Sequence, residues 1–222
     1  MIKHDDAGNT DVAIDIIRFK PEFQHEVVKL FRDGLSPKTY DLGPTVMKQQ
    51  RWFVESKLSK EDGGDMFNIW HSFMKRDNSQ QENSSNFRHF WVAIDRSKQI
   101  VVGHVGVIMS TYDDDDRNIY YKPGLTSSNV CELVRMGLHE DYRGKKLGKR
   151  LCETVEKYAL DHGMKQIVLS TMDRMELARR VYEACGYKLV NETKIPVEEL
   201  LGPGDWEQLY VVHYIKPLDK EL

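Results

Sequence analysis

The sequence predicts a mixed β-sheet with helices on both faces, an α/β or α+β domain. Three observations carry this. Two β-rich runs, Phe90–Ile94 and Ile100–Met109, flank the short polar stretch Asp95-Arg96-Ser97-Lys98 and read as a hairpin. Beyond them strand-like and helix-like segments alternate, from Val130–Leu138 through Leu147–Asp161 to Gln166–Thr171. The 222 residues, 40% hydrophobic and 30% charged, suit one soluble globular domain with a sizeable core.

Each element has its own local reason. Ile14–Phe19 alternates weakly and is a first strand, after which Pro21 opens a helix with Phe23, Val27, Leu30 and Phe31 on one face and Gly34 closes it. Gly43-Pro44-Thr45 turns into a second helical stretch near Val46–Leu58, and Met66–Met74 reads as a further aromatic helix beyond the Gly63-Gly64 break. Arg76–Asn86 is polar without a hydrophobic period, which predicts a mobile surface loop. A long connection, Ser110–Asn129, leads to the central strand Val130–Leu138. In Leu147–Asp161 the residues Leu147, Leu151, Val155 and Tyr158/Ala159 recur at helical spacing, and Gly163 is the stop. The strand Gln166–Thr171 precedes a helix containing Tyr182 and capped by Gly186. Tyr187–Thr193 and Gln208–Ile215 are the last strands, flanking the loop Gly202-Pro203-Gly204.

Composition excludes several classes of function. A net charge of −3 and a pI near 6.3 lack the basic excess of a nucleic-acid binder. No apolar run approaches a membrane span, and Met1-Ile2-Lys3-His4-Asp5-Asp6 does not resemble a signal peptide, so the expected location is cytoplasmic, with the nucleus open. Cys131, Cys152 and Cys185 have no paired spacing and read as small buried residues. The eight histidines form no ligand grouping, so no metal is expected.

The most informative segment is Val130–Leu151, where a buried-looking strand enters a basic, glycine-bearing turn and then an amphipathic helix. The first turn of a helix has unpaired backbone N–H groups and the positive end of the macrodipole, so it binds an anion. Gly144 and Gly148 would let a pyrophosphate approach the backbone, while Arg143, Lys145, Lys146 and Lys149 surround it with positive charge. A nucleotide P-loop does not fit, because only three residues separate Gly144 from Gly148 and Arg150 follows Lys149. A dinucleotide fingerprint is absent as well.

Arg143 and Gly148 match the ends of the Arg/Gln-x-x-Gly-x-Gly/Ala signature of the GNAT superfamily of acetyl-CoA-dependent N-acetyltransferases, which this segment resembles. Lys146 stands where that signature has its middle glycine. A second block, Ala178-Arg179-Arg180-Val181-Tyr182-Glu183-Ala184-Cys185-Gly186-Tyr187, is similar to the family's A-x-x-L-Y-E-x-x-G-F. The resemblance covers about 90–187 clearly, with a helical part at 21–75 and a hairpin at 187–215 completing one domain over 1–222. It implies a mostly antiparallel mixed sheet of six to seven strands and acetyl-CoA as cosubstrate, held by the backbone of Met136, Gly137 and Leu138 and by the turn from Arg143 through Leu147 to Lys149. Met175 stands where many relatives have an Asn that binds CoA, so Arg174, Arg179 or backbone groups would take that part.

The same resemblance implies Tyr182 as the acid that protonates the departing thiolate, and Glu132 as the base that takes the proton of the amine. A phenol of ordinary pKa about 10 is protonated at neutral pH, and a carboxylate must be raised from about 4.3 or act through water to serve as a base. Alternation puts Glu132, Val134, Met136 and Leu138 on one side of the sheet unless a bulge near Met136-Gly137 intervenes. The packing alternatives are that Tyr182 fills the core and that Glu132 pairs with a basic side chain.

The favoured acceptor is a primary amine of a small molecule or amino acid, attacked directly without an acyl-enzyme. Acetylation of protein at lysine or an α-amino terminus is one alternative, and a non-catalytic CoA-binding module, motivated by Lys146 and Met175, is another. Asp113-Asp114-Asp115-Asp116 could steer a polyamine or basic peptide, or be a solvated loop. Ser36–Leu42 and Gly202–Trp206 would border the acceptor cleft, with Tyr40 and Trp206 as walls. Neither a nucleic-acid nor a membrane partner is expected, and a homodimer is compatible with the sequence.

Overall fold

A computed structural model describes residues 13–34, 44–61, 63–75, 87–111, 121, 123–201, 203–204 and 207–218. Its strands are β1 (Ile14–Arg18), β2 (Arg88–Asp95), β3 (Ile100–Met109), β4 (Val130–Leu138), β5 (Gln166–Met172), β6 (Lys188–Lys194) and β7 (Tyr210–Pro217). They form one seven-stranded sheet in the order β1-β2-β3-β4-β5-β7-β6. Only β4 and β5 are parallel; every other pairing is antiparallel. The helices are α1 (Gln24–Gly34), α2 (Pro44–Leu58), α3 (Leu147–Asp161), α4 (Glu176–Ala184) and α5 (Val197–Leu201). The mixed, mostly antiparallel sheet expected from the sequence is the one observed. None of the described helices is long and apolar enough to cross a membrane.

The sheet separates two apolar clusters, one for each face. On one side Leu147, Leu151, Cys152, Val155 and Ala159 of α3 meet Val105, Val107, Cys131 and Leu133. On the other, Val27, Leu30 and Phe31 of α1 meet Phe90, Val101 and Val134. The helical spacing of these residues in the sequence is the spacing of their burial, which stabilises each helix more than its propensity does.

Two local expectations need correction. Met66–Met74 is not a regular helix but a series of turns ending in a single π-helical turn at Trp70–Met74. A Cβ on Gly64 would lie 2.4 Å from the Lys57 carbonyl oxygen, so the chain turns back on the end of α2, and Met66, Ile69 and Phe73 join the α1-side cluster from turns rather than from a regular helix. The short α5 lay unread between two strands; Val197 packs there with Ile195 and Leu209.

The β2–β3 turn is tied to the segment entering the basic turn. Asp95 is fully buried and its carboxylate accepts from the Ser97 hydroxyl at 2.6 Å, the Ser97 amide at 2.8 Å, the Lys98 amide at 3.2 Å and the Tyr142 hydroxyl. The Ser97 hydroxyl, then that of Tyr142, hold its pKa down from 3.8 to about 2. A depressed carboxylate contributes stability that is present above pH 3.8 and lost as pH falls toward about 2. Asp95→Asn should therefore be less stable at neutral pH and lose that acid limb, as read by urea unfolding across the interval.

Candidate active site

The basic turn follows directly from that anchor. Tyr142 is buried, and the ammonium groups of Lys98 and Lys145 lie 5.4 and 4.9 Å from its ring centroid. Gly144 has φ 73° and Lys146 has φ 59°, both left-handed, and α3 begins at Leu147 with no side-chain cap. Left-handed turns at a helix start aim successive amides into one concavity, which suits a phosphate. Lys146 thus adopts a conformation that glycine takes freely, at a cost of about 1 kcal/mol. Lys146→Gly is expected to raise stability by about that amount, which thermal unfolding would register as a higher Tm.

Not every residue of the turn plays the part its sequence suggests. A Cβ on Gly144 would meet nothing within 4 Å, so glycine is needed there for its φ. A Cβ on Gly148 would lie 3.1 Å from Val181 and 3.3 Å from Leu138, so this glycine serves the close packing of α3 on α4 and β4 rather than clearing space for an anion. Leu147 is 1% exposed and can offer only its backbone. Arg143 is partly exposed at the turn, and Lys149 pairs with Glu153 at 3.7 Å on the surface.

Next to the turn, the sheet opens. β4 and β5 pair only at Val130–Gln166, Cys131–Ile167 and Glu132–Val168. On the other edge of β4 an extra residue enters the ladder: His104 opposes Gly137 and Gly106 opposes Val134, two steps on β3 against three on β4. The bulge falls at Arg135, φ 52°, one residue before the expected position, and it splits the predicted row. Met136 and Leu138 pack toward α3, whereas Val134 faces the α1 side, and Glu132, two residues before it on the regular part of β4 and within reach of the charges of Asp65 and Lys57, shares that face.

Glu132 therefore joins charges from distant parts of the chain. Burial raises its pKa from 4.5 to about 7, opposed by the Arg135 charge, a hydrogen bond from Thr111 and Lys57, and supported by Asp65. The Nε of Arg135 donates to both carboxylate oxygens of Asp65 at 3.0 and 3.1 Å. Arg135 and Lys57 lie 5.5 and 5.6 Å from the Phe53 ring centroid. A carboxylate near pKa 7 can accept a proton at neutral pH without an extreme loss of basicity.

Tyr182 comes from the opposite face. It is 6% exposed on α4, its ring 6.0 Å from Tyr187 and 6.2 Å from Tyr214. Tyr214 opposes Leu169, the first β5 residue beyond the last β4 pairing, so Tyr182 stands near the point where the strands part. Arg179 is committed elsewhere: it donates to the Tyr214 hydroxyl and the Asp173 carbonyl, both at 3.1 Å. Arg174 pairs with Glu207 and Asp173. Tyr40, Trp206, Asp113–Asp116 and the stretch 76–86 lie outside the described residues.

A sequence profile described as "Acetyltransferase (GNAT) family" matches residues 55–187. The chain belongs to this family. Among curated relatives, "Probable N-acetyltransferase camello" of Xenopus laevis is 32% identical over 134 residues, 60% of this chain and 48% of that protein. "N-acetylaspartate synthetase" of Xenopus tropicalis is 31% identical over 115 residues, 52% of this chain and 35% of that protein. The chain thus spans about half or less of the length of these relatives. A GNAT-family acetyltransferase of Staphylococcus aureus superposes with a TM-score of 0.59 at 20% identity, covering 93% of this chain and all of that one. An acetyltransferase of Salmonella typhimurium solved with its cofactor acetyl-CoA gives 0.54 at 12% identity, covering 94% of this chain and 96% of that one. These likenesses establish the GNAT fold.

Sequence reasoning missed the group formed by Asp65, Arg135, Lys57 and Phe53. Arg135 carried a usable signal, as an arginine three residues after Glu132 in a mainly apolar strand of the GNAT core. Its partner Asp65 lies 70 residues away and had none.

Proposed function

We propose that this GNAT domain moves an acetyl group from acetyl-CoA to the primary amine of a small molecule, of amino-acid type, by direct attack. The observation that carries the reading is the left-handed, uncapped start of α3 beside the opening of β4 and β5, with Glu132 on one face and Tyr182 on the other.

The residues present fit the cosubstrate. The amides at the start of α3, with Arg143, Gly144, Lys145, Lys146 and Lys149 around them, would hold the pyrophosphate, and the backbone of Met136–Leu138 would line the acyl end. Bound there, acetyl-CoA supplies the activated thioester carbonyl. Glu132 takes the proton of the incoming ammonium, directly or through water, and Tyr182 gives its hydroxyl proton to the departing sulfur. Neither residue forms a bond to the acetyl group.

An acceptor with a carboxylate is favoured by Lys57, which lies beside the Arg135–Asp65 pair on the Glu132 side of the sheet. The names of several relatives, N-acetylaspartate synthetases, point the same way. The free cysteines Cys131, Cys152 and Cys185 suit a reducing cytoplasm. The test is thiol release from acetyl-CoA with a panel of free amino acids, polyamines and lysine peptides. Turnover of a free amino acid at least about tenfold above any peptide supports the reading. Faster peptide turnover would replace it with protein acetylation, and binding of CoA with no turnover on any amine would leave only a binding module.

A further inference from the structure

We propose that His104 is a positioning residue for acetyl transfer, its imidazole locking the β4 bulge on which Glu132 and the Met136–Leu138 backbone depend. What the strand is positioned to do rests on the function proposed above; the lock itself does not.

His104 is fully buried on β3. Its Nδ1 lies 2.5 Å from the carbonyl oxygen of Arg135. A carbonyl only accepts, so Nδ1 carries the proton and Nε2 is the bare nitrogen. The acceptor is the bulged residue itself, held at φ 52°, a region that a residue with a Cβ occupies only when its surroundings impose it. The other edge of the ring fills the space beside Gly137, where a Cβ would lie 2.5 Å from Nε2 and 2.8 Å from Cε1. One side chain thus engages both ends of the irregular stretch of β4.

Packing alone does not account for a histidine here. The ring stacks on Phe90 at 5.8 Å and 14° and sits 6.3 Å from Phe31, an apolar setting that phenylalanine would fill. Histidine instead leaves Nε2 buried without a hydrogen-bond partner among the described residues. An unpaired buried polar atom is unfavourable, and the bond to the bulge carbonyl offsets it. Burial and the Arg135 charge lower the imidazole pKa from 6.5 to about 4, so the ring is neutral at physiological pH. Without this bond the Arg135 carbonyl loses its partner and β4 loses a restraint on register, and a one-residue slip would turn Glu132 to the other face.

The experiment uses the full chain and two variants. His104→Phe keeps the ring and removes the donor; His104→Asn keeps a donor near the Nδ1 position and removes the ring. Nitrogen-15 spectra of the wild type should show a neutral His104 protonated on Nδ1. His104→Phe should lower kcat by about tenfold or more and shift the amide resonances of Arg135–Leu138, with the KM for acetyl-CoA within about threefold. His104→Asn should recover most of kcat despite its poorer packing. An Nε2-protonated ring, a fully active His104→Phe, or equal loss in both variants would overturn the lock. If the wild type acetylates no amine, the proposed function fails, while the tautomer and the amide shifts still decide the lock.

Discussion

Replacing Tyr182 by phenylalanine is expected to lower kcat by about a hundredfold or more while leaving the KM for acetyl-CoA within about twofold. The substitution removes one hydroxyl and keeps the ring, so the packing against Tyr187 and Tyr214 persists. The fold should therefore survive with little change in Tm. The loss falls on kcat because proton delivery to sulfur matters only once the carbon–sulfur bond is breaking. Single-turnover thiol release, measured beside thermal unfolding, separates the two effects. A variant with wild-type kcat would remove Tyr182 from the chemistry and return it to the core.

The second large effect is expected at Glu132. Glu132→Gln should cut kcat/KM by about a hundredfold at pH 8 and abolish the rise in activity expected of the wild type through a pKa of about 7. The sign follows from the base needing its ionised form, which predominates only above that value. Stability should move the opposite way. A carboxyl whose pKa rises from 4.5 unfolded to about 7 folded contributes stability that is fully present below pH 4.5 and lost as pH rises through 7. The full shift corresponds to about 3 kcal/mol, so Glu132→Gln should be the more stable protein at pH 8 and the less pH-dependent one across that interval. A pH profile of kcat/KM unchanged by the substitution would assign the base role to another group or to water.

Much of the fold was legible because its elements declare themselves over short stretches. The apolar residues of Leu147–Asp161 recur at helical spacing and are the ones buried in α3. The strands Ile100–Met109 and Val130–Leu138 take their expected bounds, β2 runs two residues before and one beyond its own, and the helix bearing Tyr182 ends at Ala184, just before its expected cap Gly186. Met66–Met74 departed because Met66, Ile69 and Phe73 stand at helical spacing in the sequence but are buried from turns and one π-helical turn. The GNAT resemblance was legible for the same local reason, since its two motifs are short and continuous in the chain.

By itself the sequence determined the order of the seven strands and of α1 to α4, the basic glycine-bearing turn and the identity of Glu132 and Tyr182 as candidates. These depend on neighbours a few positions apart, where covalent connection leaves few choices of geometry. Tertiary structure alone decided that the bulge falls at Arg135, that Gly148 serves helix packing, that Arg179 is committed to Tyr214, and that Glu132 titrates near 7. Each of these rests on groups far apart in sequence, such as Asp65 with Arg135 and His104 with Arg135, separated by 70 and 31 residues. Burial and charge act through space, so their consequences exist only once the sheet has brought those residues together.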